Sequence, residues 1–359
     1  MPERRSHFSL HDLMTLIIPD AMPSTRPTPT AAATGFPAAS RGAILRAGMR
    51  GAFGMFPSFS RTDTTMDAVV TRRRARRTTP DTPARSITRD DVIAELRRLG
   101  ATIAGFAPVE RWAAHGEVPP AYRPEAIWPL ARTVIAFGVP MLLPVIESTP
   151  SINYQEHYDT SNRLLDEISY RLAIWLNEAG HPAISLPRDG YGSLEILLTN
   201  PFASFSHTYA AKYAGLGTVG MSRNLLVAQY GPRVRLNSVF TAAAFDGDPE
   251  LTGELCSRCR VCERACPTGA IRARSDGVVG DLDKDACTRH HITLRDERRW
   301  PCGICAKVCA VGADRKLYGR PGVKRYLEER AALEKNPDDP RFRSEVHLRR
   351  HGSGGTRIA

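Results

Sequence analysis

All eight cysteines of this 359-residue chain lie between positions 256 and 309, and no other feature limits so tightly what the chain can become. Cys256, Cys259, Cys262 and Cys266, followed by Pro267, form a C-x2-C-x2-C-x3-C-P run. This is the ligand spacing of a bacterial-type cubane iron–sulfur cluster, in which the fourth cysteine serves the other cluster of a pair. The run has an echo: Cys302, Cys305 and Cys309 repeat Cys259, Cys262 and Cys266 at a constant offset of 43 residues, and Cys287 stands in for Cys256 across an inserted loop. Cross-ligation then assigns Cys256, Cys259, Cys262 and Cys309 to one [4Fe-4S] cluster, and Cys266, Cys287, Cys302 and Cys305 to the other.

Two other readings of the same thiols stand beside this one. A pair of structural zinc sites also needs closed sets of four ligands. A disulfide framework belongs to small secreted domains, whereas this chain is long enough to build its own core. Three cysteines at two-residue intervals, then a fourth and a proline, favour the clusters.

The formal charge of +11 resembles a nucleic-acid signature until it is apportioned. Residues 1–85 carry thirteen Arg, no Lys and six acids, and residues 340–359 carry five Arg and one Glu. These two tails hold the whole excess, so residues 86–339 are neutral overall and exert no long-range pull on a polyanion. Nucleic-acid binding is therefore not expected. No apolar run reaches the roughly 18 residues of a membrane span, and Arg4-Arg5 is followed by polar residues and Asp12 rather than by the apolar core of an export signal. A cytoplasmic protein is expected.

Four segments follow. Residues 1–85, rich in Arg, Pro and Ala, read as a disordered tail. Residues 86–246 read as an α/β domain that binds a cofactor or substrate. Residues 247–318 form the ferredoxin-like module, and residues 319–359 a helix and a disordered tail. Thr88 caps a helix with Asp90 and Asp91 in its first turn and Gly100 at its end. Residues 102–107, 133–139, 182–186 and 234–244 read as strands, bounded by Gly or Pro. Residues 154–179 form the strongest helix, with Leu164, Leu165, Ile168, Leu172, Ile174, Trp175 and Leu176 on its apolar side. Gly215, Gly217 and Gly220 spell the dinucleotide fingerprint G-x-G-x-x-G, but that motif needs a strand before it. Residues 206–214 instead read as a short helix, which makes the glycines its C-terminal turn and following loop.

Taken together, Ser206-His207, the Ala214-Gly-Leu-Gly217 segment through Gly220, Tyr230-Gly-Pro-Arg233, the strand ending near Thr241 and the two cysteine runs resemble the epoxyqueuosine reductases and their reductive dehalogenase relatives, over roughly residues 88–315. The resemblance implies an α+β chain: a nitroreductase-like, corrinoid-reductase-like domain, then a bacterial ferredoxin-like 2[4Fe-4S] domain. It also implies cobalamin as a cofactor and Ser206, Gly215, Gly217 and Gly220 as cofactor-binding positions. Three departures bound it. The segment Asn200 to Ser206 lacks the Asp proton donor of epoxyqueuosine reductases, their tRNA-binding extension has no counterpart, and Ala310 replaces the usual Pro after the last cysteine.

The function expected is an oxidoreductase passing electrons from a donor such as a ferredoxin, flavodoxin or reductase, through two clusters, to a small-molecule substrate or cofactor in the α/β domain. The other reading is a ferredoxin-like electron carrier with no substrate of its own. A reductive step needs protons, and His207 and Tyr209 are the catalytic candidates in the marked segment. Tyr154, His157 and Tyr158 form a second polar-aromatic group. Arg258, Arg260, Arg264, Arg289 and Lys307 lie beside ligands, where positive charge raises a cluster's potential.

Overall fold

The computed structural model describes residues 85–351; the disorder expected of residues 1–84 and 352–359 lies outside them. The principal elements are α1 (Arg89–Leu99), β1 (Ile103–Pro108), β2 (Thr133–Pro140), α2 (Leu143–Ile146), α3 (Ile152–Glu178), β3 (Ala183–Ser185), α4 (His207–Tyr213), β4 (Thr218–Val219), β5 (Leu225–Leu226) and β6 (Val234–Thr241). After these come α5 (Val261–Arg264), α6 (Lys284–Asp296), α7 (Ile304–Lys307), α8 (Lys324–Lys335) and α9 (Arg343–Arg350).

Helix α1 begins as its sequence dictates. The Thr88 hydroxyl accepts from the Asp91 N–H while the Asp91 carboxylate accepts from the Thr88 N–H, and Gly100 ends the helix at φ 109°. This reciprocal cap satisfies two otherwise orphaned donors.

The four longer strands form one sheet in the order β1-β2-β6-β3, and every pairing is antiparallel. The period of two then sorts each strand between two cores. Val134 and Ala136 of β2 and Phe240 of β6 face α4, with Trp112, Phe205, Tyr209 and Tyr213. Ile135, Phe137 and Val139 of β2 and Val239 of β6 face α1 and α3, with Leu96, Leu165, Ile168 and Leu172. Helices on both faces explain why β2 is an unbroken apolar run rather than an alternating one. Ile174 is the exception to the expected stripe on α3: it is 39% exposed, while Leu172 and Leu176 are fully buried.

The strand–helix–strand alternation thus builds an antiparallel, helix-covered sheet, which is an α+β arrangement. Past β6, Asp248 accepts from the Phe106 N–H and pairs with Arg89, tying the strap into the cysteine module to the edge of the sheet. The described residues belong to one compact unit, with no division at the boundary expected at residue 246. Part of the segment expected to be a disordered tail within residues 319–359 instead folds into α9, whose Glu345 is buried against Arg325. No described helix is long and apolar enough to cross a membrane.

Candidate functional site

The two half-repeats fold alike. In each, a one-turn helix carries a middle cysteine: α5 holds Cys262 and α7 holds Cys305, and the two helices pack together. The residue preceding each helix, Arg260 in the first and Gly303 in the second, occupies the left-handed region at φ 59° and 65°. These residues are equivalent under the 43-residue repeat. Glycine is obligatory at 303, where a Cβ would stand 2.6 Å from the Tyr154 ring. Arginine at 260 accepts a conformation that costs an L-residue about 1–2 kcal/mol.

The thiols fall into two groups, and no disulfide joins any of them. Cys256, Cys259, Cys262 and Cys309 line one small hollow with Met221, Leu226, Arg260 and Val311. Cys266, Cys287, Cys302 and Cys305 are electrostatic neighbours of one another, and Cys305 also acts on Cys262 of the first hollow. Burial first, and then the adjacent sulfurs, push the Cys262, Cys287 and Cys302 thiols up to about 12. Four mutually repelling sulfurs are what a bound metal cluster relieves. Among the described residues no three His, Cys, Asp or Glu side chains close up around a single metal ion. Cys259 is the exposed member of the eight; the other seven are partly buried.

Buried charges hold this module in place. Arg233, fully buried, grips Asp314 through Nε and Nη2 at 2.6 and 2.7 Å, and donates to the carbonyls of Ala306, Cys309 and Val311. Arg315 donates to the carbonyls of Cys309 and Lys307 and to the Tyr326 hydroxyl. Lys307 pairs with Glu329 of α8 at 2.6 Å, and Arg349 of α9 joins the same carboxylate. Lys307, one of the cations expected beside the ligands, has its ammonium on Glu329.

Beside the second cysteine group lies a cavity of about 330 Å³. One face of α6 walls it: Lys284, Cys287, Thr288 and His291, at i, i+3, i+4 and i+7, all line it. Opposite stand Phe205, Leu225, Val234 and Leu236, with Arg188, Asp189, Tyr191 and Arg235. The two arginines are already matched: Arg188 by Asp166 and Asp189, and Arg235 by Asp189 at 3.0 Å, with its guanidinium over the Tyr158 ring. Lys284 makes no hydrogen bond or ion pair among the described residues, and burial lowers it to about 7. His291 accepts from the Trp300 indole N–H at Nδ1, and burial lowers it to about 4. Asn224 lines the cavity and donates to the Cys305 sulfur at 3.4 Å.

The residues expected to act are placed differently. His207 lines the cavity, but Ser238 at Nδ1 and Pro187 at Nε2, both 3.0 Å away, occupy its ring nitrogens, and burial lowers it to about 4. Tyr209, from the same helix, turns into the core beside Tyr213 and does not line the cavity. Ser206 reaches the cavity and caps α4, accepting from the Tyr209 N–H. Gly215, Gly217 and Gly220 do not line it. They are packing glycines: a Cβ on Gly215, at φ 69°, would meet the Pro249 carbonyl at 2.2 Å, and one on Gly217 the Leu226 carbonyl at 2.1 Å. Tyr154 packs against Gly303, Tyr158 meets the Trp300 ring edge-on, and His157 accepts from the Leu142 N–H. The face of α6 went unread, although its spacing from Cys287 was available in the sequence.

The 4Fe-4S binding domain family matches residues 251–272. Over 194 residues, half of this chain, it is 26% identical to the tetrachloroethene reductive dehalogenase of Desulfitobacterium hafniense, covering 33% of that protein. Over 224 residues it is 26% identical to the epoxyqueuosine reductase of Synechococcus sp. (strain CC9605), covering 56% of this chain and 64% of that one. The chain thus spans about a third of the dehalogenases it matches. Among solved structures, a catabolic reductive dehalogenase in complex with 3-bromo-4-hydroxybenzoic acid aligns at a TM-score of 0.52 and 21% identity, over 76% of this chain and 39% of that one. The fold is shared with these dehalogenases.

Proposed function

We propose that this chain is an iron–sulfur oxidoreductase whose two [4Fe-4S] clusters carry electrons to a small molecule held in the 330 Å³ cavity. One cluster is held by Cys256, Cys259, Cys262 and Cys309, the other by Cys266, Cys287, Cys302 and Cys305. The observation that carries the reading is the position of Cys287, which belongs to the second thiol group and also lines the cavity. The first group, with exposed Cys259, is the entry point for electrons. Clusters supply one-electron transfer; the protein supplies orientation, and protons from groups that face the ligand. Lys284 and His291 face it with no carboxylate holding them, and are better placed for that role than His207 or Tyr209.

A cavity of about 330 Å³ sits at the low end of the roughly 300–1,000 Å³ of ligand pockets. Open to solvent on one side, it receives a small organic molecule or part of a larger ligand, such as the B12 cofactor of a solved reductive dehalogenase of the same fold, and no step is routed through cobalt. Anaerobic purification followed by iron, zinc and cobalt analysis tests the whole reading. About eight irons per chain are expected for two filled cubanes. Stoichiometric zinc without iron overturns the clusters, and cobalt retained at one per chain after incubation with hydroxocobalamin makes a cobalamin the ligand, whereas no retained cobalt removes it. A ferredoxin-like carrier would match the iron count, but would leave the cavity with no ligand to reduce.

A further inference from the structure

The half-repeats provide an internal comparison. At the left-handed position before α5 and α7, the second half uses Gly303, the residue that fits such a backbone best, while the first half uses Arg260. Arg258, two residues earlier, is likewise left-handed at φ 53°. Neither conformation is forced by packing against the side chain, because both arginines point to solvent and their side chains are about 60% exposed. Strain kept at an exposed position, where glycine would remove it, marks a side chain retained for what it displays.

What these side chains surround is the first thiol group. Arg260 lines its hollow, Arg258 adjoins exposed Cys259, and exposed Arg264 donates to the Cys259 carbonyl at 3.4 Å. Residues 255–273 hold four arginines against the single acid Glu263. Glu263 bonds Arg260 and also accepts from the Ala273 N–H, which draws the carboxylate down against the module, 18% exposed, and leaves the guanidinium outward. Arg258 pairs with Glu254 at 2.9 Å on the surface, a contact of small worth that an incoming partner exchanges readily. Residues 86–339 are neutral only with this patch counted, so the remainder carries a net acidic excess and the patch is a local feature rather than part of a general basic surface.

We propose that Arg258, Arg260 and Arg264 form the docking surface for a small acidic electron-carrier protein that reduces the first cluster through its exposed edge at Cys259. The inference rests on the cluster assignment above. The step is a single-electron transfer: the carrier is oxidised by one electron, the cluster is reduced by one, and no bond is made or broken. Complementary charge acts mainly on the association rate and gives it a steep dependence on salt.

The test is stopped-flow reduction of the anaerobic holoprotein by two probes, a reduced acidic ferredoxin and photoreduced deazaflavin, an uncharged small reductant. Arg260→Gly removes the guanidinium while supplying the residue used at the equivalent position. The expected result is a fall in the second-order rate with ferredoxin of about 3- to 10-fold for Arg260→Gly, and more for the triple change to Gln, with a flatter salt dependence. Deazaflavin reduction, iron content and the reduced-cluster EPR spectrum should match the parent. An unchanged ferredoxin rate and salt slope in the triple variant, with iron intact, overturns the docking surface alone. Absence of iron in the parent protein overturns the cluster reading instead. A loss of rate with both probes shows damage to the module, and also counts against a docking role.

Discussion

His207 shows how a residue beside a cavity becomes a structural one. With Ser238 and Pro187 on its two nitrogens, it stays neutral well below the pH at which a free imidazole charges. Its folded pKa of about 4 lies below the unfolded value of about 6.5. Between those values the unfolded chain binds a proton that the native one refuses, so stability is full above pH 6.5 and falls as the pH drops toward 4. The loss attributable to this ring is about 3 kcal/mol. In His207→Gln the amide donates to Pro187 and accepts from Ser238 without titrating. Its urea midpoint, followed from pH 7 to 4.5, is expected to fall less steeply than the parent's; parallel curves would mean that burial of this ring does not set the acid sensitivity.

At the scale of elements, the C-terminal helices hold the second half-repeat in place. Burial keeps Lys307 below the ordinary lysine range even with Glu329 beside it, while Lys307 and Arg349 outweigh burial to hold Glu329 below the usual carboxylate range. The two shifts oppose each other in their effect on stability, so the intact pair adds little net energy. Breaking it is another matter, because an unpaired buried charge costs about 3–5 kcal/mol. Glu329→Ala is expected to lower the denaturation free energy by that order and to speed iron release to a chelator, since Lys307 lies between Cys305 and Cys309. Undiminished iron retention in that variant would separate α8 and α9 from the cluster loops.

For the whole molecule, the proposed order of the two clusters gives electron flow a direction that variants can test. Cys302→Ala and Cys259→Ala should each leave about four irons per chain. The first variant keeps the entry cluster and should accept electrons from a reduced ferredoxin at the parent rate. The second keeps only the deeper cluster and should accept them more slowly. Stopped-flow traces with the opposite order would reverse the path and detach the cavity from its electron supply.

Much of this was legible in the chain itself. The cysteine spacing yields the two groups because ligand sets obey short-range geometry that a 43-residue repeat writes twice. Thr88, Gly100 and the strand runs were legible because caps and period-two burial are local. The antiparallel order of the sheet, the bond partners of His207 and the turning of Tyr209 into the core were not, since each depends on which distant segment packs alongside. Gly215 and Gly217 carry the same lesson: their sequence spells a cofactor fingerprint, but the Pro249 and Leu226 carbonyls that exclude a Cβ arrive only when the chain folds. The eight thiols and their 43-residue repeat were determined by the sequence alone. The cavity, and the face of α6 that joins it to Cys287, were decided by tertiary packing, because a cavity is the space left between elements and no single stretch of residues encodes it.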